Sequence, residues 1–136
     1  TRIFCIGQLP QDLMQAHEDM LRLQDRLMGE IRPGITAGTV YDLAIDLTTR
    51  WGYEAHFMGV GDSRIRFVGH GLGIELDEYP FLANGQPMVI QENMTIALEP
   101  KLIFPGRGVV GIENTHRVTP DGLQRMTRFP DDVVQL

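Results

Sequence analysis

The sequence has 136 residues, the size of one domain, with 43% apolar residues, 22% charged residues and a formal net charge of −6. This composition can build a hydrophobic core and excludes a wholly disordered chain. The negative charge argues against nucleic acid or an anionic membrane surface as the partner. No apolar stretch is long enough to cross a bilayer.

The first part of the chain is predicted to contain one strand and two helices. Residues 1–6 are rich in β-branched and aromatic side chains, which favours a strand. Apolar residues then recur at three- and four-residue steps over 10–31, which predicts an amphipathic helix that ends at Pro33-Gly34. A second helix is predicted over 36–52, with Thr36 as its N-cap.

Beyond residue 52 the pattern changes to short β-prone runs separated by turn residues. These predicted strands are 66–68, 74–76, 88–90, 95–98, 108–112 and 116–118. A strand and two helices followed by several strands predict an α+β domain over residues 1–136.

Cys5 is the only cysteine, so an internal disulfide and the thiolate-rich zinc sites are excluded. It lies in an apolar run, which favours a buried structural thiol over a reactive one. A chain without disulfides fits a cytoplasmic location.

Three residues have settings that favour metal binding. His70 is flanked by glycines, which let the backbone come close to whatever the imidazole faces. Glu99 and Glu113 each end an apolar run, where a carboxylate must find a cation or hydrogen-bond donors. One histidine and two carboxylates suit a divalent metal. The alternative is a hydrogen-bonded loop histidine and two glutamates in salt bridges.

Three segments, in this order and at this spacing, resemble the pita-bread metallopeptidase family of prolidases, Xaa-Pro aminopeptidases, methionine aminopeptidases and creatinase. Residues 67–80 (FVGHGLGIELDEYP) resemble its glycine-flanked histidine segment, 94–101 (MTIALEPK) its glutamate-proline segment and 111–122 (GIENTHRVTPDG) its final glutamate segment. The resemblance covers essentially the whole chain. It implies the C-terminal portion of the catalytic domain, with two helices packed on an antiparallel curved sheet.

The resemblance also implies two divalent metal ions (Mn, Co, Fe or Zn) bound by two aspartates, one histidine and two glutamates. His70, Glu99 and Glu113 match the last three ligands, with Glu113 bridging both metals. The two aspartates are expected in a segment preceding Thr1, so residues 1–136 alone are expected to bind metal weakly and to be inactive. The implied reaction is hydrolysis of a peptide from its N-terminus by a hydroxide shared between the metals, with Glu99 moving the proton. The implied substrates are Xaa-Pro peptides.

One departure from the family pattern falls at a catalytic position. Asp77 occupies the place of a family histidine that helps to hold the substrate and its tetrahedral intermediate. An ionised aspartate accepts hydrogen bonds and cannot donate one to an oxyanion. Either the substrate differs, Asp77 is protonated, or activity is reduced; the alternative is that Asp77 belongs to a solvated acidic edge. At a second departure, Asn114 replaces a common aspartate.

His56 and Tyr79 are the predicted substrate contacts, with Phe81 as a further candidate for contact or packing. His116 lies three residues beyond Glu113 on a predicted strand and is therefore expected to point to the other face. The expected partners are a peptide substrate and, by analogy with the family, a second copy in a homodimer. Two other functions stay open: a non-catalytic peptide-binding module of the same fold, and a creatinase-like hydrolase of a small guanidino compound.

Overall fold

The computed structural model describes residues 1–136 and has the predicted α+β organisation. Helix α1 spans Gln11–Glu30 and helix α2 spans Ala37–Arg50. The strands are β1 (Phe4–Cys5), β2 (Gly69–Gly71), β3 (Thr95–Leu98), β4 (Lys101–Phe104), β5 (Gly108–Gly111), β6 (Asn114–Thr119), β7 (Gly122–Arg125) and β8 (Val134–Gln135). Neither helix has the length and apolar character needed to span a membrane.

The strands form one larger antiparallel sheet and two short pairs. The sheet has the order β2-β3-β6-β7, β4 and β5 form an antiparallel pair, and β1 pairs in parallel with β8. Within the sheet, Leu98 pairs with Gly69 on one side and with Asn114 on the other. This register brings the segments that carry the three candidate ligands to neighbouring positions at one end of the sheet.

The core lies between the helices and the strands. Helix α1 buries an apolar face at helical spacing and lies against β4, β5 and β7. The fully buried members of the core include Met20, Leu23, Leu27, Val40, Ala44, Ile96, Leu98, Leu102 and Val118. Each buried leucine, isoleucine or valine contributes about 1.5–3 kcal/mol relative to an exposed one. The core therefore fixes α1 behind the edge of the sheet where the candidate ligands lie.

The helix ends agree with the predicted signals. Thr36 is the N-cap of α2, and its hydroxyl accepts a hydrogen bond from the Thr39 amide at 3.3 Å. Helix α2 ends just before Gly52, which has a φ of +81° that favours glycine.

The strand predictions are only partly confirmed. Residues 74–76 form an exposed loop, with Ile74 99% and Leu76 76% exposed, and residues 88–90 make a single bridge from Val89 to Thr36. Local β-propensity does not tell whether a segment finds a partner strand: residues 74–76 find none, and residues 88–90 pair only with the turn and helix start at 34–37. For the same reason the predicted strand at 1–6 shortens to two paired residues, and Cys5 is only partly buried.

Candidate metal centre

His70 is buried in β2, and its flanking glycines are required by the packing. Only 3% of His70 is exposed. A Cβ atom added at Gly69 would overlap the carbonyl oxygen of Ala97, and one at Gly71 would lie 2.5 Å from the carbonyl oxygen of Tyr79. The glycines thus let β2 approach its neighbours closely, as the sequence predicts.

The hydrogen bond of the His70 ring determines which ring nitrogen carries the proton and which has a lone pair. Nδ1 lies 2.8 Å from the Gly71 carbonyl oxygen, and because a carbonyl only accepts, Nδ1 carries the proton. Nε2 lies 3.1 Å from Asp77 Oδ1 and 3.6 Å from Glu99 Oε1. A lone pair that faces two carboxylate oxygens requires a shared proton or cation. His70 is therefore oriented as a metal-binding histidine is, with Nδ1 bonded to a backbone carbonyl.

Glu99 directly follows β3, and its side chain is 14% exposed. Its amide donates to the Val68 carbonyl oxygen at 3.0 Å, which ties it to the segment leading into β2. Its second oxygen accepts a hydrogen bond from the ammonium group of Lys101. This lysine stands two positions further along the chain, on the same side of an extended backbone. Glu99 thus faces a histidine with one oxygen and a cation with the other.

Glu113 lies between β5 and β6 and lines a cavity together with Glu99. The cavity is bounded by Thr1, Ile3, Glu99, Lys101, Val109, Gly111, Ile112 and Glu113. Burial raises the pKa of the Glu113 carboxyl, but the hydrogen bond from the Thr1 hydroxyl, together with the nearby His70 and Lys101, holds that pKa below its ordinary value. The Glu113 carboxyl is therefore ionised at neutral pH.

A network of polar side chains, here called the Asn114 network, fixes the backbone around both glutamates. Asn114 Nδ2 donates to Gln24 Oε1 at 2.8 Å and to Asp131 Oδ1 at 3.1 Å. Its Oδ1 accepts from Arg2 at 2.8 Å and from Arg125 at 3.2 Å. An aspartate at this position could not donate, and it would face the Asp131 carboxylate. With asparagine at position 114, Asp131 supplies the negative charge between the two arginines.

The same network reaches each glutamate segment through the backbone. Arg2 Nη1 donates to the Glu113 carbonyl oxygen at 3.0 Å. The buried Gln24 of α1 donates to the Leu98 carbonyl oxygen at 3.2 Å, directly before Glu99. Helix α1 thus holds the segments on either side of the cavity at a fixed separation.

The donor set has the chemistry of a divalent-metal site. Imidazole nitrogen and carboxylate oxygens suit the ions from manganese to zinc. Glu99 already lies against a cation, the ammonium group of Lys101. No group of three or more histidine, cysteine, aspartate and glutamate side chains in residues 1–136 is arranged to hold a metal ion by itself.

The predicted substrate contacts lie in two different places. Tyr79 is 63% exposed, and its ring packs edge-on against Phe81 at 5.2 Å, close to His70. His56 bonds the Ile103 carbonyl oxygen at 2.9 Å and stacks on Phe104, outside the cavity that Glu99 and Glu113 line. The structure thus brings Tyr79 near the candidate ligands but not His56, whose contact with substrate stays a prediction.

His116 is fully buried in β6, opposite Ile96 and Arg125. Burial, together with the positive charge of Arg125, lowers the pKa of its imidazole to about 4. The ring is thus a neutral core residue at pH 7.

Sequence reasoning missed Lys101, Arg2, Gln24, Arg125 and Asp131. Lys101 had a local signal, because two residues with one between them on an extended chain share a face. The partners within the Asn114 network are up to 112 positions apart, and no local pattern links them.

Comparisons with known proteins agree with the geometry. The family model for metallopeptidase family M24 matches residues 1–120. The chain is 31% identical over 128 residues to a Xaa-Pro dipeptidase of Pyrococcus furiosus, covering 94% of this chain and 35% of that protein. It is 32% identical over 136 residues to a putative dipeptidase, YkvY, of Bacillus subtilis, covering 100% of this chain and 36% of that protein.

A solved Xaa-Pro dipeptidase from Bacillus anthracis superimposes with a TM-score of 0.86 at 30% identity, over 99% of this chain and 36% of that one. The chain thus spans about a third of the length of the curated relatives it matches. The predicted pita-bread fold is confirmed for the portion present. On the family match and these relatives, the chain belongs to metallopeptidase family M24.

Proposed function

We propose that the protein containing this chain is a metal-dependent peptidase that removes residues from the N-terminus of peptides, with Xaa-Pro dipeptides or peptides as substrates. The observation that carries the proposal is the approach of His70 Nε2 to Glu99, with Glu99 and Glu113 lining one cavity. Relatives named Xaa-Pro dipeptidase over nearly the whole chain support the same reaction and substrate class.

In this proposal His70, Glu99 and Glu113 would hold two divalent metals, with Glu113 as a ligand to both and two aspartates from a preceding segment completing the site. When bound, such metals lower the pKa of a water and polarise the scissile carbonyl. The Gly71 carbonyl oxygen keeps the His70 proton on Nδ1, so the lone pair of Nε2 is available to bind a metal. Glu99, which is in contact with Lys101, accepts the proton of the attacking water and delivers it to the leaving amine. The Asn114 network keeps the two glutamate segments from moving apart.

A non-catalytic peptide-binding module is the second candidate, and Asp77 is the observation that favours it. Its carboxylate lies 3.1 Å from His70 Nε2, where an ionised side chain cannot donate to a developing oxyanion. The predicted homodimer and cytoplasmic location stay predictions.

The first experiment measures metal content and Xaa-Pro dipeptide hydrolysis in the full-length protein, beside residues 1–136 alone. Two metals with activity only in the full-length protein support the dinuclear peptidase and a site completed by the preceding segment. Absence of metal and of hydrolysis in both contradicts it and favours the binding module. A small guanidino compound in the substrate panel tests the creatinase-like alternative.

A further inference from the structure

We propose that Asp77 makes this site selective for substrates with a positively charged side chain, an ammonium or guanidinium group, on the residue next to the bond that is cut. This inference rests on the proposed function and adds the substrate class. It follows from the position of Asp77, from its lack of a lysine or arginine partner and from the aromatic rings that lie against His70.

Asp77 lies at the site and is still reachable from solvent. It follows the exposed loop at residues 74–76, and its side chain is 51% exposed, while Oδ1 lies 3.1 Å from Nε2 of the buried His70. The same His70 nitrogen faces Glu99 Oε1 at 3.6 Å. A substrate group bound against Asp77 is therefore separated only by the His70 side chain from Glu99, the carboxylate proposed to move the proton.

No lysine or arginine pairs with Asp77. Its only ion-pair contact is His70, which is charged only when protonated. The nearby lysine, Lys101, is in contact with Glu99. A cationic group of a substrate can therefore pair with Asp77 without displacing a lysine or an arginine, and an uncharged group of the same shape gains no such contact.

Aromatic rings extend the site on the side of His70. The Phe67 ring meets the His70 ring edge-on at 6.0 Å, and the Phe81 ring lies 6.5 Å from it. Tyr79 packs on Phe81 at 5.2 Å and is 63% exposed. Ring faces attract ammonium and guanidinium groups, most strongly where water is partly excluded. A carboxylate next to such rings favours a side chain with an apolar stem and a cationic head.

The test compares two substrates that differ in charge and hardly in shape, Arg-Pro and citrulline-Pro. Full-length, metal-loaded protein is assayed for kcat/KM on both, as the parent and as Asp77→Asn, with Asp62→Asn in the exposed turn at Gly61–Ser63 as the matched control. We expect the parent and the control to prefer Arg-Pro by about 10-fold or more, the range of a single partly desolvated charge pair. In Asp77→Asn the ratio of the two kcat/KM values should fall towards one, whatever the change in the absolute rates. A ratio near one in the parent, or an unchanged ratio in Asp77→Asn, overturns the inference.

A binding measurement separates this inference from the proposed function. Calorimetry with arginine amide and citrulline amide uses the same proteins and requires no turnover. If no peptide is cut, but arginine amide binds about 10-fold tighter and loses this advantage in Asp77→Asn, the peptidase proposal fails and the charge selectivity stands. Equal binding of the two amides to the parent overturns the charge selectivity whatever the activity.

Discussion

Replacing Asp131 by asparagine tests whether the Asn114 network holds the candidate site together. Asp131 accepts two hydrogen bonds from Arg125, at 2.6 and 2.5 Å, and lies 3.1 Å from Arg2, whose side chain is 9% exposed. Asparagine keeps one acceptor oxygen, removes the negative charge and turns an NH₂ group towards a guanidinium. The two arginines then lie beside each other without a carboxylate between them.

The size of the expected loss of stability depends on the exposure of Asp131, Arg125 and Arg2. A hydrogen bond to a charged group contributes about 1.5–3 kcal/mol, and removing one member of a fully buried ion pair costs about 3–5 kcal/mol. The Asp131 and Arg125 side chains are 22% and 32% exposed, so water replaces part of the loss. We therefore expect Asp131→Asn to lower the free energy of unfolding by about 2–3 kcal/mol.

The assay is urea unfolding of the purified protein, with Asp132→Asn as the control because Asp132 is the adjacent aspartate and is exposed. The midpoint should fall for Asp131→Asn, with an unchanged m-value, and stay within about 0.5 kcal/mol of the parent for Asp132→Asn. Equal midpoints for the two variants would refute the network as described. Replacing Arg125 by methionine in the Asp131→Asn background should recover part of the loss, because an uncompensated charge is removed.

Three further predictions concern metal binding and pH. In the full-length protein, Glu113→Ala should reduce the bound metal below that of the exposed control Glu92→Ala if Glu113 is the proposed ligand to both metals; unchanged stoichiometry by elemental analysis contradicts the assignment. His116 has a pKa of about 4 in the folded protein, against 6.5 for an ordinary histidine. This difference contributes about 3 kcal/mol to the free energy of unfolding, which is present above pH 6.5 and is lost as pH falls towards 4. Urea midpoints measured against pH should show this loss, and it should be absent in His116→Val. Burial, with the hydrogen bond to Asp19, raises the pKa of Tyr53 to about 12 from 10.0, so the stability that Tyr53 contributes is present below pH 10 and is lost as pH rises through 12. Absorbance titration should show a tyrosine that ionises near pH 12, and Asp19→Asn should lower its pKa.

The helices were predictable because their signals are local. Thr36 and the apolar spacing of α1 are read within one or two turns, and the structure confirms both. The strands depend on distant partners, so Ile74 and Leu76 suggested a strand although they lie in an exposed loop.

The same distinction between local signals and distant contacts applies to the candidate site. The glycines around His70 and the apolar runs before Glu99 and Glu113 are local features, and the structure brings their segments together. The Asp131 contact with Asn114 joins a strand to a segment beyond β7, and only the folded chain shows it.

The parallel pairing of β1 with β8 joins residues that are far apart in the sequence through few contacts. Phe4 pairs with Val134, and the amides of Val134 and Leu136 donate to Ile3 and Cys5, which closes a loop of roughly 130 residues with two short strands. Long-range contacts slow folding, and a pairing of two residues per strand has few buried contacts to keep it closed. Thr1 and Arg2 lie directly before this pairing and bond the Glu113 carbonyl oxygen. The amides of β8 and of the segment around Glu113 are therefore expected to exchange hydrogen together, and faster than the amides of the sheet to which β6 belongs.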